Sequence, residues 1–287
     1  MLKQQESYTL LYHSFSDLHR RYYLNVTHYQ KFLEDILKLS NAFSFSAIND
    51  ISSSSSIALT FDDGFRAILP MIDFCHRNNI PTTIFVPSAI CEGETLLPKD
   101  KIIAVCRALP RGTRVQFLDF SLTLHNSSLL FRDFLGARLN RYAMQQLSYE
   151  KYNEYIQHFF ETYHRYLSAI DDDLSLLTAQ ELKKIAEQYP SCTIGFHGHM
   201  HYNMTRLTPI ELRQELTRGK ELLEELIGRP VQVLSYPYGA YNQEVERMAQ
   251  EVGYTQAITI EETPWRQNAS PFSLPRITID NRTVEIV

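Results

Sequence analysis

Short apolar runs alternate along this chain with stretches of helical period, and that alternation leaves few architectures open. Tyr8–Tyr12, Ile57–Phe61 and Thr82–Val86 are short and apolar, as strands buried on both faces must be. Helical periodicity fills the intervals, over Thr27–Leu39 and about Phe65–Asn78. The rhythm returns after Cys192, with strands expected at Thr193–Phe196, Val231–Ser235, Gln256–Ile260 and Ile277–Ile279, and helices at Pro209–Ile227 and Asn242–Glu251. Such a pattern predicts an α/β fold with a mainly parallel sheet, either a barrel or doubly wound.

Between about residues 91 and 189 the character changes. Val115–Leu124 suits a hairpin or a pair of strands, and Arg132–Leu167 two amphipathic helices. The serines Ser52–Ser56 form a polar loop, and Asp171–Asp173 a solvated loop ahead of a Thr178-x-x-Glu181 capping box. The block is expected to be an insertion packed on the barrel. With 287 residues, 44% of them hydrophobic, the chain can bury a full core without staples. A net charge of −5 gives no reason to expect nucleic acid or an anionic membrane as partner. Cys75, Cys91, Cys106 and Cys192 show no CxxC pair and are expected to be free thiols. No apolar stretch reaches the ~18 residues of a membrane span, and Met1–Phe15 lacks signal-peptide character, so a cytoplasmic location is expected.

Four segments at expected strand ends carry the chemistry, because in parallel α/β folds those ends converge on one face. Thr60-Phe61-Asp62-Asp63-Gly64 places adjacent carboxylates after a buried strand; one can bind a metal while the other stays free as a base. Alone, Asp-Asp-Gly would be an ordinary turn. Gly195-Phe196-His197-Gly198-His199-Met200-His201 offers three alternating histidines, hard to explain as packing and suited to metal ligation. His197 and His201 would be neighbours on one helical turn, whereas His197 and His199 would suit an extended H-x-H pair, and spacing does not choose. Ser235-Tyr236-Pro237-Tyr238-Gly239-Ala240-Tyr241-Asn242 reads as a rigid loop with aromatic walls and backbone N–H groups, or as a plain turn capped by Asn242. His13 closes the first strand.

Together and in this order, these segments resemble the polysaccharide deacetylases of carbohydrate esterase family 4, the NodB-homology fold. The likeness covers residues 8–90 and 190–280; the block between matches no pattern of the family. It implies a distorted (β/α) barrel of about seven parallel strands with a largely helical insertion at about 91–189, in one domain over 1–287. It also implies Asp62 as general base, Asp63, His197 and His201 as metal ligands, and Tyr238 as oxyanion donor through its backbone N–H, with Tyr236 and Tyr241 shaping the sugar groove. Tyr12-His13 is similar to the opening segment of the poly-N-acetylglucosamine deacetylase branch, which makes His13 the general acid. Ser235 stands where many members have an arginine that orients the catalytic carboxylate; Arg276 is the expected substitute, ahead of Arg66. Gly198 replaces the family's Ser or Thr, and His199 is an unusual neighbour.

The implied activity is hydrolysis of N-acetyl groups from an amino sugar in a poly- or oligosaccharide or its precursor, releasing acetate. The expected cofactor is a divalent metal, zinc first, with cobalt, nickel or manganese as alternatives. Two rival readings are an amidohydrolase-like metal hydrolase built on His197 and His199, and a glycan-binding protein that has lost catalysis.

Overall fold

The computed structural model describes residues 1–16, 26–51, 55–167, 174–266, 269–279 and 284–286. Residues 52–54 of the serine loop and Asp171–Asp173 lie outside them. In chain order the strands are β1 (Tyr8–Tyr12), β2 (Ser14–Phe15), β3 (Val26–Thr27), β4 (Ser44–Phe45), β5 (Ser56–Phe61), β6 (Thr82–Val86), β7 (Arg114–Phe117), β8 (Phe120–Thr123), β9 (Cys192–Phe196), β10 (Val233–Ser235), β11 (Gln256–Ile258) and β12 (Ile277–Thr278). The helices are α1 (Tyr29–Ser40), α2 (Leu69–Arg77), α3 (Pro98–Ala108), α4 (Leu129–Gln146), α5 (Tyr149–Tyr163), α6 (Ala179–Gln188), α7 (Pro209–Ile227) and α8 (Gln243–Val252).

Seven strands run parallel in the order β11-β10-β9-β6-β5-β1-β12 and curl into a distorted half-barrel. β1, β5 and β6 are buried along their whole length, which explains their unbroken apolar character. The two ends of the curl meet through residues 271–279. Its first half hydrogen-bonds β11, with Leu274 N donating to Ala257 O at 3.1 Å and Thr259 N to Leu274 O at 2.9 Å. Its second half is β12, where Ile277 and Thr278 pair with Leu10 and Leu11. Beneath β1 and β5, Tyr12, Phe15, Phe32 and Phe61 pack as an aromatic cluster, with Tyr12 and Phe32 edge to face at 5.0 Å.

Most expected elements are present within a residue or two. β10 starts at Val233 rather than Val231, because Val231 N donates to the Glu224 carboxylate on α7 instead of joining the ladder. α3 was not foreseen in the sequence: its buried residues run continuously from Asp100 to Cys106, which erases the one-sided period. The expected hairpin is β7–β8, paired antiparallel.

The expectation of two amphipathic helices holds for α5, which buries Tyr152, Ile156 and Phe159. It fails for α4. That helix buries Arg132, Asp133 and Asn140 while exposing Leu130, Phe131 and Phe134. Two of these buried polar residues serve α3: Asp133 pairs with Arg107 at 2.7 and 3.0 Å, and Arg132 caps α3 by donating to the carbonyls of Cys106 and Leu109. α3, α5 and the hairpin share a hydrophobic cluster with α4 that also takes in Tyr202, so this block grips the loop following β9. The four cysteines are free thiols. Among the described residues no helix is long and apolar enough to cross a membrane.

Candidate active site

Two loops and one strap bring the chemistry together. Asp62 continues the ladder beyond β5 by donating its N–H to Tyr12 O at 3.1 Å. The chain then turns through Asp63 and Gly64, both left-handed with φ of +68° and +66°. A side chain at Gly64 would meet Val86 at 3.1 Å, so the turn presses against β6. His197 leaves β9 with its N–H on Val86 O at 2.9 Å. The following residues form no helical turn, which corrects the i,i+4 geometry considered from spacing. Gly198 (φ +78°) and His201 (φ +54°) fold the loop back on itself, and this return brings the two imidazoles to 4.7 Å between ring centroids. Strained backbone at Asp63, His201 and Tyr238 (φ +60°) thus gathers at one place.

Three buried side chains converge there: one ligand atom each from Asp63, His197 and His201 lies within 4.8 Å of the others. His197 Nε2 and His201 Nε2 stand 3.3 and 3.2 Å from Asp63 Oδ1. Asp63 Oδ1 nevertheless has no hydrogen-bond partner. His197 Nδ1 lies 2.8 Å from Ser235 O, an acceptor only, so Nδ1 carries the proton and a neutral ring presents a bare lone pair on Nε2. A lone pair facing a carboxylate oxygen at that range calls for a cation between them. Two atoms each roughly 2.0–2.1 Å from one tetrahedral ion would sit about 3.3 Å apart. The donor set therefore fits a divalent metal. Burial pulls the His201 pKa down to about 3, keeping that ring neutral as a ligand must be. Burial would also lower that of His197, but Asp62 and Asp63 outweigh it and hold it above the usual value. Burial would raise the Asp63 pKa, yet Lys99 and His201 keep its carboxylate well below the ordinary range.

Asp62 lies beside this cluster, 3.6 Å from His197 Nε2, and answers to Arg276. The guanidinium donates to Asp62 Oδ1 at 2.8 Å and Oδ2 at 2.6 Å, and to Ser235 Oγ at 3.0 Å. Ser235 Oγ donates to Asp62 Oδ2 at 3.1 Å. Burial would raise the Asp62 pKa, but Arg276 and then His197 bring it below the ordinary value. Arg66, the weaker candidate, is exposed and bonds Glu181 at 2.9 Å.

His13, Asp62, Asp63, His197, His201, Tyr236 and Tyr238 line one cavity of about 440 Å³. The enclosure of His13 lowers its pKa to about 4, and its Nδ1 is buried without a partner. Tyr238 stacks edge-on against His201 at 4.4 Å. Tyr236 lends the cavity only its ring, its hydroxyl donating to Phe272 O at 3.0 Å. Tyr241 does not line the cavity; it stacks on Tyr236 at 4.9 Å. His199 turns away, with Nδ1 2.9 Å from Ser88 Oγ and Nε2 3.4 Å from Glu92, so no H-x-H pair forms with His197.

Three participants escaped the sequence reading. Lys99 Nζ lies 3.6 Å from Asp63 Oδ2. Buried Glu215 accepts the His199 N–H at 2.6 Å and the Tyr149 hydroxyl at 3.0 Å, anchoring the histidine loop from beneath. Asn140 donates to the Tyr238 hydroxyl at 3.3 Å.

Carboxylates and histidines at the strand ends of a curled parallel sheet define a class, the NodB-like barrel. The fold is similar to that of Streptococcus pyogenes deacetylase PplD in complex with acetate, with a TM-score of 0.61 at 14% identity, covering 96% of this chain and 92% of that one. It is likewise similar to IcaB from Ammonifex degensii, with a TM-score of 0.59 at 14% identity, covering 97% and 94%. Residues 143–257 match the family model described as polysaccharide deacetylase; His197–His201 and Ser235–Gly239 lie inside the match, Asp62 and Asp63 outside it. YxkH of Bacillus subtilis (strain 168), named as a candidate polysaccharide deacetylase, is 26% identical over 103 residues. That match spans 36% of this chain and 36% of the relative's length. Over residues 143–257 the chain is thus similar to the polysaccharide deacetylase family, on a barrel whose fold it shares with solved deacetylases.

Proposed function

We propose that this protein is a metal-dependent hydrolase that removes acetyl groups from the amino nitrogen of an N-acetylated glycan or glycan precursor. The observation that carries the reading is a charged Asp62, fixed by Arg276, next to a three-ligand set with an unsatisfied carboxylate oxygen. Asp63, His197 and His201 would hold the ion. Two imidazoles and one carboxylate suit zinc, with cobalt, nickel or manganese able to substitute. Such an ion lowers the pKa of water from 15.7 to about 7 and polarises an amide carbonyl.

The chain's own residues do the rest. Asp62 takes the proton of the attacking water; Arg276 and then His197 hold its pKa below the ordinary carboxylate value, which favours the ionised form that can accept it. Arg276 and Ser235 fix both its oxygens, so only one direction of approach remains. The Tyr238 N–H serves the developing oxyanion, a contact type worth about 3 kcal/mol elsewhere. His13 rests neutral, so it gives a proton to the departing amine only after receiving one, and that proton originates in the water. The block of residues 91–189 is an insertion in a single domain, walling the cavity with Lys99 and Arg141.

Metal analysis combined with acetate release from N-acetylated oligosaccharides tests the reading. About one divalent ion per chain and release of acetate are expected. Asp62→Asn should keep the ion and lose about 10²–10⁴-fold in rate. A variant that hydrolyses as fast as the parent removes Asp62 from the mechanism.

A further inference from the structure

α4 does not part polar residues from apolar ones: Arg132, Asp133 and Asn140 share its buried side with Leu139, Ala143 and Met144, while Leu130 (53% exposed), Phe131 (41%) and Phe134 (55%) turn outward. Contiguous apolar surface of this kind marks a contact site. Here it opens into a groove of about 550 Å³ shared with the β7–β8 hairpin, whose walls include Phe120, Leu122, Phe131, Phe134 and Leu139. Arg138 and Arg141 stand in the same groove. Both are exposed, and neither forms an ion pair among the described residues. Arg141 also lines the catalytic cavity, so groove and cavity adjoin across one side chain. The residue before it, Asn140, touches the Tyr238 hydroxyl.

We infer that this groove receives the hydrocarbon chain of an amphiphilic substrate, in which a phosphate joins that chain to the N-acylated amino sugar. A further stretch of glycan would fit poorly, since every sugar ring carries hydroxyls that need partners. Of the groove's polar groups, the Tyr142 hydroxyl is already committed to Asp119 at 2.9 Å, and most of the remaining wall is hydrocarbon. Arg138 lies over the Phe134 ring, 5.7 Å from its centroid, so a bare alkyl chain would leave the Arg141 guanidinium unused, whereas a phosphate is what such a planar donor binds best. The order of features along the surface, apolar groove, Arg141, metal-ligand cluster, repeats the order chain, phosphate, sugar. The sugar end of this assignment rests on the deacylase reading above; the groove's preference for an anionic amphiphile does not.

The test has a binding arm and a turnover arm on the full chain. Dodecyl phosphate, kept below its micelle concentration, should bind at least tenfold more tightly than inorganic phosphate by calorimetry. Phe134→Asp and Arg141→Ala should each weaken it at least tenfold. In the turnover arm, kcat/KM for an N-acetylamino-sugar phosphate bearing a long alkyl or prenyl chain should exceed that of the chain-free sugar phosphate at least tenfold. In Phe134→Asp the ratio should fall below twofold. Equal binding by parent and Phe134→Asp overturns the groove, whether or not acetate is released. Absence of dodecyl phosphate binding, with Phe134→Asp instead shifting the oligomeric state, also overturns it and makes the face a contact between copies. Groove-dependent binding with no acetate released from any substrate supports the groove and overturns the deacylase reading.

Discussion

Arg276 grips Asp62 through two parallel hydrogen bonds, although 214 residues separate them along the chain. Both side chains are buried, and Ser235 bonds to each. Ser235, where the resemblance leads one to expect an arginine, thus joins the network as a hydroxyl, while the guanidinium arrives from elsewhere in the barrel.

Removing that guanidinium should be costly twice over. Arg276→Leu strands a buried carboxylate, and breaking a buried pair from one side costs about 3–5 kcal/mol. Thermal unfolding and acetate release should fall together. Arg276→Lys offers a single donor in place of the fork, so it should regain much of the stability and little of the rate. Equal rates for the lysine variant and the parent would mean that the planar grip on Asp62 is not needed.

Chelation should abolish hydrolysis and lower the melting temperature, because an ion bound only by the folded state stabilises it by mass action. Zinc, cobalt, nickel and manganese added singly should restore both. His201→Ala should bind none of them tightly. Acetate release that survives exhaustive chelation contradicts the assignment of Asp63, His197 and His201.

Glu215→Leu should loosen the histidine loop without touching a ligand. Partners one step removed from a metal typically change its affinity by about 10–100-fold, so chelator competition should show a loss of that size. Glu215→Gln keeps an acceptor for the His199 N–H and should recover most of it. Equal metal affinity in Glu215→Leu and the parent would show that the loop holds its shape without this carboxylate.

The metal-free protein should lose stability as pH falls from about 6.5 toward 4. The folded pKa of His13, about 4, lies below its unfolded value of about 6.5. Between those limits the unfolded chain holds the extra proton, so stability rises with pH across the window and is complete above it. His201, lowered to about 3, acts in the same direction. His197, raised, opposes them: its contribution is present below the unfolded pKa and lost as pH climbs through the folded one. His13→Gln should flatten the slope measured by denaturant unfolding, and an unchanged slope would place the acid sensitivity elsewhere.

The fold was legible because a strand buried on both faces has to be apolar, and β1, β5, β6 and β9 announce themselves within a residue of their bounds. The site's residues were legible where they follow those strands. His13, Asp62, Asp63 and His197 each sit at a strand's end, but the return of His201 takes a left-handed backbone at His201 itself as well as at Gly198, which spacing does not show. Lys99 and Glu215 were not legible: a lysine or glutamate within a helix looks like a solvated charge until the fold shows what lies beneath it. Arg276 came from the family pattern alone, since nothing local marks an arginine that reaches across the sheet. α4 misled for a related reason. Helical period assumes that polar and apolar residues part onto two faces, and in α4 Arg132, Asp133 and Asn140 are buried on the same side as Leu139, Ala143 and Met144.

Residues 271–279, which join β11 to β1, also carry Arg276. On a ribosome the carboxylate at position 62 emerges early, and its guanidinium only after more than two hundred further residues have been added. Until that segment docks, the barrel is open along one seam and Asp62, the proposed base, lacks the group that orients it. Closing the barrel and arming the base are one event. On the proposed mechanism, a copy cut short before residue 271 is expected to lose hydrolysis and closure together.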